Sequence, residues 1–104
     1  DDLVVVQVRQ VEGVAHAAED LGYEMLGFNV KPGPGRHVSV AKVRPGSPAY
    51  QTGIRAGDVL LRLDSRVLYS LDDFRETVLN MRGQASILAE IQRGNFIYRV
   101  VLDV

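Results

Sequence analysis

The residues of this sequence that could do chemistry are few. They are two histidines, His16 and His37, the serine of Gly46-Ser47-Pro48, and the carboxylates Asp58, Asp64, Asp72 and Asp73. An enzyme needs a nucleophile with its base, an acid–base pair, or a metal. Cysteine is absent, which removes thiolate chemistry, disulfides and Cys-based zinc sites. The histidines do not fall at HExxH-like spacing, and they read as ordinary surface residues. Ser47 lacks the strand–turn–helix setting of a GxSxG nucleophile and reads as a helix cap. The four aspartates show no acid–base spacing and read as turn and cap carboxylates. Neither Gly33-Pro34-Gly35 nor Arg93-Gly94-Asn95 matches a phosphate-binding glycine loop. The chain is therefore expected to be non-catalytic, with no metal and no cofactor. Twelve basic and thirteen acidic residues leave a net charge of -1, too little field to attract nucleic acid or anionic lipid. No apolar run is long enough to span a membrane, and no direct membrane insertion is expected.

What remains is chemistry of the backbone. In "YEMLGFNVKPGPG", Tyr23 to Gly35, a glycine stands between Leu26 and Phe28 at the mouth of an alternating run. Glycine weakens a strand, because it has no side chain to pack and loses more entropy on ordering. It suits a turn that aims successive N–H groups at one point, which makes an anion nest. If the outer edge of the following strand is unpaired, an extended peptide can add there as a further strand. Pockets between that strand and a neighbouring helix would then read alternate side chains of the peptide.

The elements that must hold such a site can be read by period. At 104 residues, 46% hydrophobic and 24% charged, the chain has the composition and size of one ordinary domain. Leu3 to Gln10 reads as a strand, and Val11 to Leu21 as a helix ended by Gly22. Met25 to Val30 reads as a strand, followed by a Pro/Gly loop and a second strand from Arg36 to Arg44. Ser47-Pro48 opens a short helix closed by Gly53. Val59 to Asp64 is a strand, and Ser65 to Ser70 a turn with a very short one. The clearest helix starts at the Ser70 cap, with Asp72 and Asp73 in its first turn and Gly83 at its end. Its stripe of Leu71, Phe74, Val78 and Met81 faces the core. Asp72, Arg75, Glu76 and Leu79 then form a neighbouring stripe toward a groove. For Leu79, plain core packing is the competing reading. Two strands joined at Gly94-Asn95 complete an antiparallel pair. The fold class is α+β, with five to six short antiparallel strands and two or three helices.

Four segments carry a resemblance to the PDZ family. Met25-Leu26-Gly27-Phe28-Asn29-Val30 resembles its GLGF loop and following strand. Val43-Arg44-Pro45-Gly46-Ser47-Pro48-Ala49 is similar to its VxxGSPA segment, and Gly53 to Leu60 to its GDxI/L segment. Leu63-Asp64 and the helix from Ser70 follow in the family's order, so that residues 23–104 form the PDZ-like part. Residues 1–22 lie outside the match and could be a linker, a docking helix or an extra strand. The resemblance implies a partly open antiparallel barrel or sandwich capped by two helices. It puts the amides of Leu26, Gly27 and Phe28 around a ligand carboxylate, and the strand Phe28, Asn29, Val30 against the peptide. Leu26, Phe28, Val30 and Leu79 would line the pocket for the last side chain, with Asp72, Arg75 and Glu76 along the groove. An acid at Asp72 would favour a hydroxyl, amide or basic ligand side chain. The wording of "PGSPAYQTGIRAGDVLLRLD" and "SLDDFRETV" is similar to PDZ domains of bacterial HtrA/Deg-type serine proteases and other envelope proteins. That implies C-terminal or unfolded segments as partners, contact with a neighbouring protease domain, and a periplasmic or envelope location. The alternative is a structural or self-associating PDZ domain that binds no free peptide.

Overall fold

The computed structural model describes residues 20–104. The expected strand over 3–10, most of the expected first helix, and His16 lie outside them. Six strands form one antiparallel sheet: β1 Phe28–Pro32, β2 Val38–Val43, β3 Val59–Leu63, β4 Arg66–Val67, β5 Ser86–Arg93 and β6 Phe96–Asp103. The order is β1-β2-β3-β5-β6, with β4 on β3, so β1 and β6 are the edges among the described residues. Two helices, α1 Pro48–Gln51 and α2 Leu71–Asn80, pack on the sheet, and residues 20–25 are also helical. No helix of the described residues is long and apolar enough to cross a membrane.

Each helix begins where its capping chemistry says. Ser47 accepts a hydrogen bond from the Tyr50 amide, with Pro48 in the first turn of α1. Ser70 accepts one from the Asp73 amide at the start of α2. The expected stripe of α2 is buried at Phe74, Val78 and Met81, with Leu71 at its margin. It closes a core of Leu26, Phe28, Val38, Val40, Leu60, Leu63, Ile87, Ile91 and Leu102, all nearly or wholly excluded from water. At roughly 1.5–3 kcal/mol for each large buried side chain, this cluster dominates the favourable side of folding.

The strand expected from Met25 starts later than its pattern suggests. Residues 20–25 are helical, and β1 begins only at Phe28. Gly22 does not end this helix but sits inside it. The amides of Leu26 and Gly27 both donate to the Gly22 carbonyl, at 2.8 and 3.1 Å. The left-handed stop is Gly27 itself, with φ +98. Gly22 serves packing instead: a Cβ there would stand 3.1 Å from Cζ of Phe74, tighter than an ordinary contact. The missing side chain lets the helical turns settle onto α2.

One ion pair ties the loop after α1 to the far end of β5. Asp58, 2% exposed, accepts from the Arg55 amide at 2.9 Å. It also accepts from Arg93 Nε at 2.8 Å and Nη2 at 2.7 Å. Burial pushes the Asp58 carboxyl up, but the two Arg93 bonds, the Arg55 amide and the two guanidinium charges outweigh it. The net result holds it below the ordinary aspartate value.

Candidate functional site

Strand β1 offers an edge. The Arg44 amide donates to the Gly27 carbonyl at 2.6 Å, and Phe28 stands opposite Val43 in the ladder. In an antiparallel pair, residues alternate between bonding inward and pointing outward. The N–H and C=O of Phe28 therefore face the open side; between Asn29 and Val30 the ladder shifts register at a bulge, and Val30 stands opposite Val40. Pro32 has no N–H to add, so the edge ends there. Beside this edge runs α2. The Phe28 and Phe74 ring centroids are 6.1 Å apart, fixing the separation of strand and helix. A cleft of about 200 Å³ opens between them, lined by Asp20, Asn29, Val30 and Phe74.

Leu26 and Phe28 are fully buried and support this site from below. Val30 is half-buried and lines the cleft with Asn29. Leu79 is half-buried and is not among the lining residues; the helical wall is Phe74, which sequence patterning assigned to the core alone. Arg75 and Asp72 line a second cleft further along, toward the β1–β2 turn. They form an ion pair at 3.1 Å, Arg75 Nη1 to Asp72 Oδ1, on a largely exposed Asp72 side chain. Glu76 does not join them. It meets Arg66 of β4 at 3.4 Å, and neither cleft between β1 and α2 includes it.

The turn before β1 is held from several sides. Two of the three amides assigned to a ligand carboxylate, those of Leu26 and Gly27, already share the Gly22 carbonyl. Arg44, reaching across from the end of β2, donates from Nη2 to the Glu24 carbonyl at 3.0 Å and from Nε to the Tyr23 carbonyl at 3.3 Å. It thereby satisfies the carbonyls that a helix end leaves without partners. Lys42 Nζ lies 5.8 Å and Arg44 Cζ 6.0 Å from the Tyr23 ring centroid, within cation–π range. The sequence shows no basic residue just before the loop; the charge arrives from β2. The Ala49 amide donates to the Leu26 carbonyl at 3.1 Å. Ser47 packs on Gly27 so closely that a Cβ on Gly27 would overlap its Oγ and Cβ. Ser47 is thus more than a cap for α1; it is the surface on which the glycine turn rests. The only sequence signal for either role was the segment Arg44 to Ser47 itself.

Among the described residues no group of His, Asp and Glu could hold a metal. Among the described residues the arrangement offers an open strand edge, a bordering wall at Phe74, and at one end the Phe28 amide beside two amides held by the Gly22 carbonyl. These are the parts needed to receive an extended chain and its terminal carboxylate.

Comparisons with known proteins agree with this geometry. A family model described as PDZ domain matches residues 2–104. Rat serine protease HTRA3 is 36% identical over 58 residues, which is 56% of this chain and 12% of that protein. A putative zinc metalloprotease of Clostridium perfringens is 43% identical over 56 residues, 54% of this chain and 16% of the relative. The chain thus spans only a small part of the length of these relatives. Among solved structures, the HtrA3 PDZ domain bound to the phage-derived ligand FGRWV aligns with a TM-score of 0.63 at 24% identity, covering 75% of this chain and 81% of that one. An HtrA-type protease with a decapeptide aligns at 0.64 and 17% identity, covering 84% and 32%. At such identities the structural likeness establishes the fold. With the family model spanning almost the whole sequence and the glycine turn, edge strand and bordering helix in place, the chain belongs to the PDZ family.

Proposed function

We propose that this domain binds the free C-terminal end, or an exposed extended segment, of another protein by adding it as a strand to β1. The observation that carries the reading is the outer edge of β1, unpaired among the described residues, lying beside α2 with a cleft between them. Main-chain bonds to the edge of β1 at Phe28 would supply affinity, and the cleft would select the ligand's apolar side chain. The ligand carboxylate would replace the Gly22 carbonyl as acceptor for the Leu26 and Gly27 amides, joined by Phe28. Binding then costs the bonds that close the end of the helical turns, which keeps affinity modest.

Two relatives support a role within a protease. The chain resembles short parts of a serine protease and of a putative zinc metalloprotease. The HtrA3 PDZ domain was solved with a peptide, as was the HtrA-type protease. We therefore read the domain as a substrate-recognition or regulatory module of an HtrA/Deg-type envelope protease, working in the periplasm or cell envelope. One observation favours a second reading, a structural PDZ domain without a free ligand: the Leu26 and Gly27 amides are satisfied internally.

Val30→Arg separates the readings. It places a long cation where the ligand side chain would enter, on a residue that is only half-buried. A fluorescent peptide ending in an apolar residue is expected to bind the variant at least about tenfold more weakly, with little change in melting temperature. Unchanged binding would place the ligand elsewhere.

A further inference from the structure

We propose that Asp20 makes the cleft between β1 and α2 selective for a ligand whose last side chain has an apolar stem and a cationic head, lysine or arginine. The proposal deepens the groove reading above and rests on it. Among the described residues the cleft of about 200 Å³ is lined by Asp20, Asn29, Val30 and Phe74. Val30 and the Phe74 ring are apolar, Asn29 offers a neutral amide, and Asp20 carries the one charge. A regular strand turns consecutive residues to opposite faces. Here the register shifts between Asn29 and Val30, and both line the cleft.

Asp20 reaches the cleft because the helical turns 20–25 are seated on the domain from several sides. Leu21 packs against the core. Gly22 lies on α2: a Cβ there would stand 3.1 Å from Cζ of Phe74 and 3.8 Å from Cγ2 of Val78. Arg44 holds the Tyr23 and Glu24 carbonyls from the other side, at 3.3 and 3.0 Å. The backbone therefore places Asp20, and its carboxylate is left for a ligand. At a rise of 1.5 Å per residue, Leu26 lies about 9 Å further along the turns. The Asp20 charge thus stands apart from the Leu26 and Gly27 amides that would take the ligand's terminal carboxylate.

No cation within the cleft offsets Asp20. Asp20 is exposed, and no hydrogen bond or ion pair among the described residues engages its side chain. On α2, Asp72 and Arg75 line the next cleft and meet each other at 3.1 Å, while Glu76 meets Arg66 at 3.4 Å. On β1, Lys31 is exposed and does not line the cleft. One negative charge therefore stands at a cleft whose other described walls are neutral. A lysine of the ligand can lay its methylenes on Val30 and Phe74 and keep its ammonium in water beside Asp20. Because Asp20 is exposed, the gain is that of a surface ion pair and not of a buried one.

The test uses fluorescent peptides that differ only in the last residue: lysine, its uncharged near-isostere norleucine, or glutamate, each with a free carboxylate. In low salt the lysine peptide is expected to bind roughly twofold to fivefold more tightly than the norleucine peptide, and the glutamate peptide more weakly than either. High salt should shrink these differences. Asp20→Asn should remove the lysine advantage, and Asp20→Lys should turn the preference to glutamate. Asp103→Asn, which removes the same charge from β6 at the opposite edge of the sheet, should leave the lysine preference intact. Norleucine and lysine peptides of equal affinity, or a lysine preference that survives Asp20→Asn, would overturn the role of Asp20 and leave the groove standing. Failure of all three peptides to bind would overturn both.

Discussion

Asp58→Ala is expected to cost about 3 kcal/mol of stability in denaturant melts. Removing one partner of a buried pair leaves the other charge uncompensated, and such losses run to about 3–5 kcal/mol. The lower figure fits because the Arg93 side chain is 34% exposed and recovers some hydration, while the Asp58 side chain is 3% exposed. The loss also frees the Arg55 amide and loosens the contact from Arg93 Nη2 to the Gly53 carbonyl, 2.8 Å long. Replacing both Asp58 and Arg93 by apolar residues of similar size should cost less than the two single changes added together. The pH dependence follows from the lowered Asp58 carboxyl, whose ordinary value is 3.8. The unfolded chain binds the proton first as pH falls. The contribution is therefore fully present above that ordinary value and fades as pH drops through it toward the lower folded value. Wild type should lose stability in that acid window, and Asp58→Asn should lose less there. An identical acid slope in Asp58→Asn would contradict this assignment.

Gly27→Ala is the second large effect, about 2–5 kcal/mol. Its backbone sits at φ +98, where an L side chain is strained by roughly 1–2 kcal/mol. The new methyl would also overlap Ser47, and overpacking of this kind costs about 1–3 kcal/mol. The two terms separate in a Ser47→Gly background, where the overlap is gone and only the backbone strain remains. The cost of Gly27→Ala should fall by about half there. A cost that does not change between backgrounds would mean that Ser47 is not the surface that requires glycine.

Much of the fold was legible because its signals are local. The Ser70 cap, the acidic first turn and the period of Phe74, Val78 and Met81 mark α2 without reference to anything distant. The hairpin at Gly94-Asn95 is equally plain: Arg93 pairs with Phe96 across it. The approach to β1 was not legible in the same way, because two periods overlap. Leu26, Phe28 and Val30 alternate like a strand, while Leu21 and Met25 stand four apart like a helix, and all five touch the core. The helical spacing wins up to Met25 because Gly22 can lie against Phe74, a contact 52 residues away in sequence (74 minus 22) that no local pattern reports.

The site shows the same division. Leu26, Gly27, Phe28, Asn29 and Val30 could be named from the apolar-Gly-apolar signature. Arg44 and Ser47 act on them from about twenty residues away, through a guanidinium on helix carbonyls and a serine beneath a glycine. Glu76 illustrates the reverse. Its place on the helical wheel suggested the groove; its side chain stands 3.4 Å from Arg66 on β4 and lines neither cleft between β1 and α2.

The central claim is that a ligand carboxylate competes with the Gly22 carbonyl for the Leu26 and Gly27 amides. It is tested most directly by titrating the domain with one peptide in two forms, the free acid and its C-terminal amide, while following those two amide signals by NMR. Charge-assisted bonds to a carboxylate are roughly twice as strong as neutral ones, so the acid is expected to bind at least about tenfold more tightly. Its titration should move the Leu26 and Gly27 signals. Equal affinities for acid and amide, with both signals unmoved, would contradict carboxylate capture at this turn.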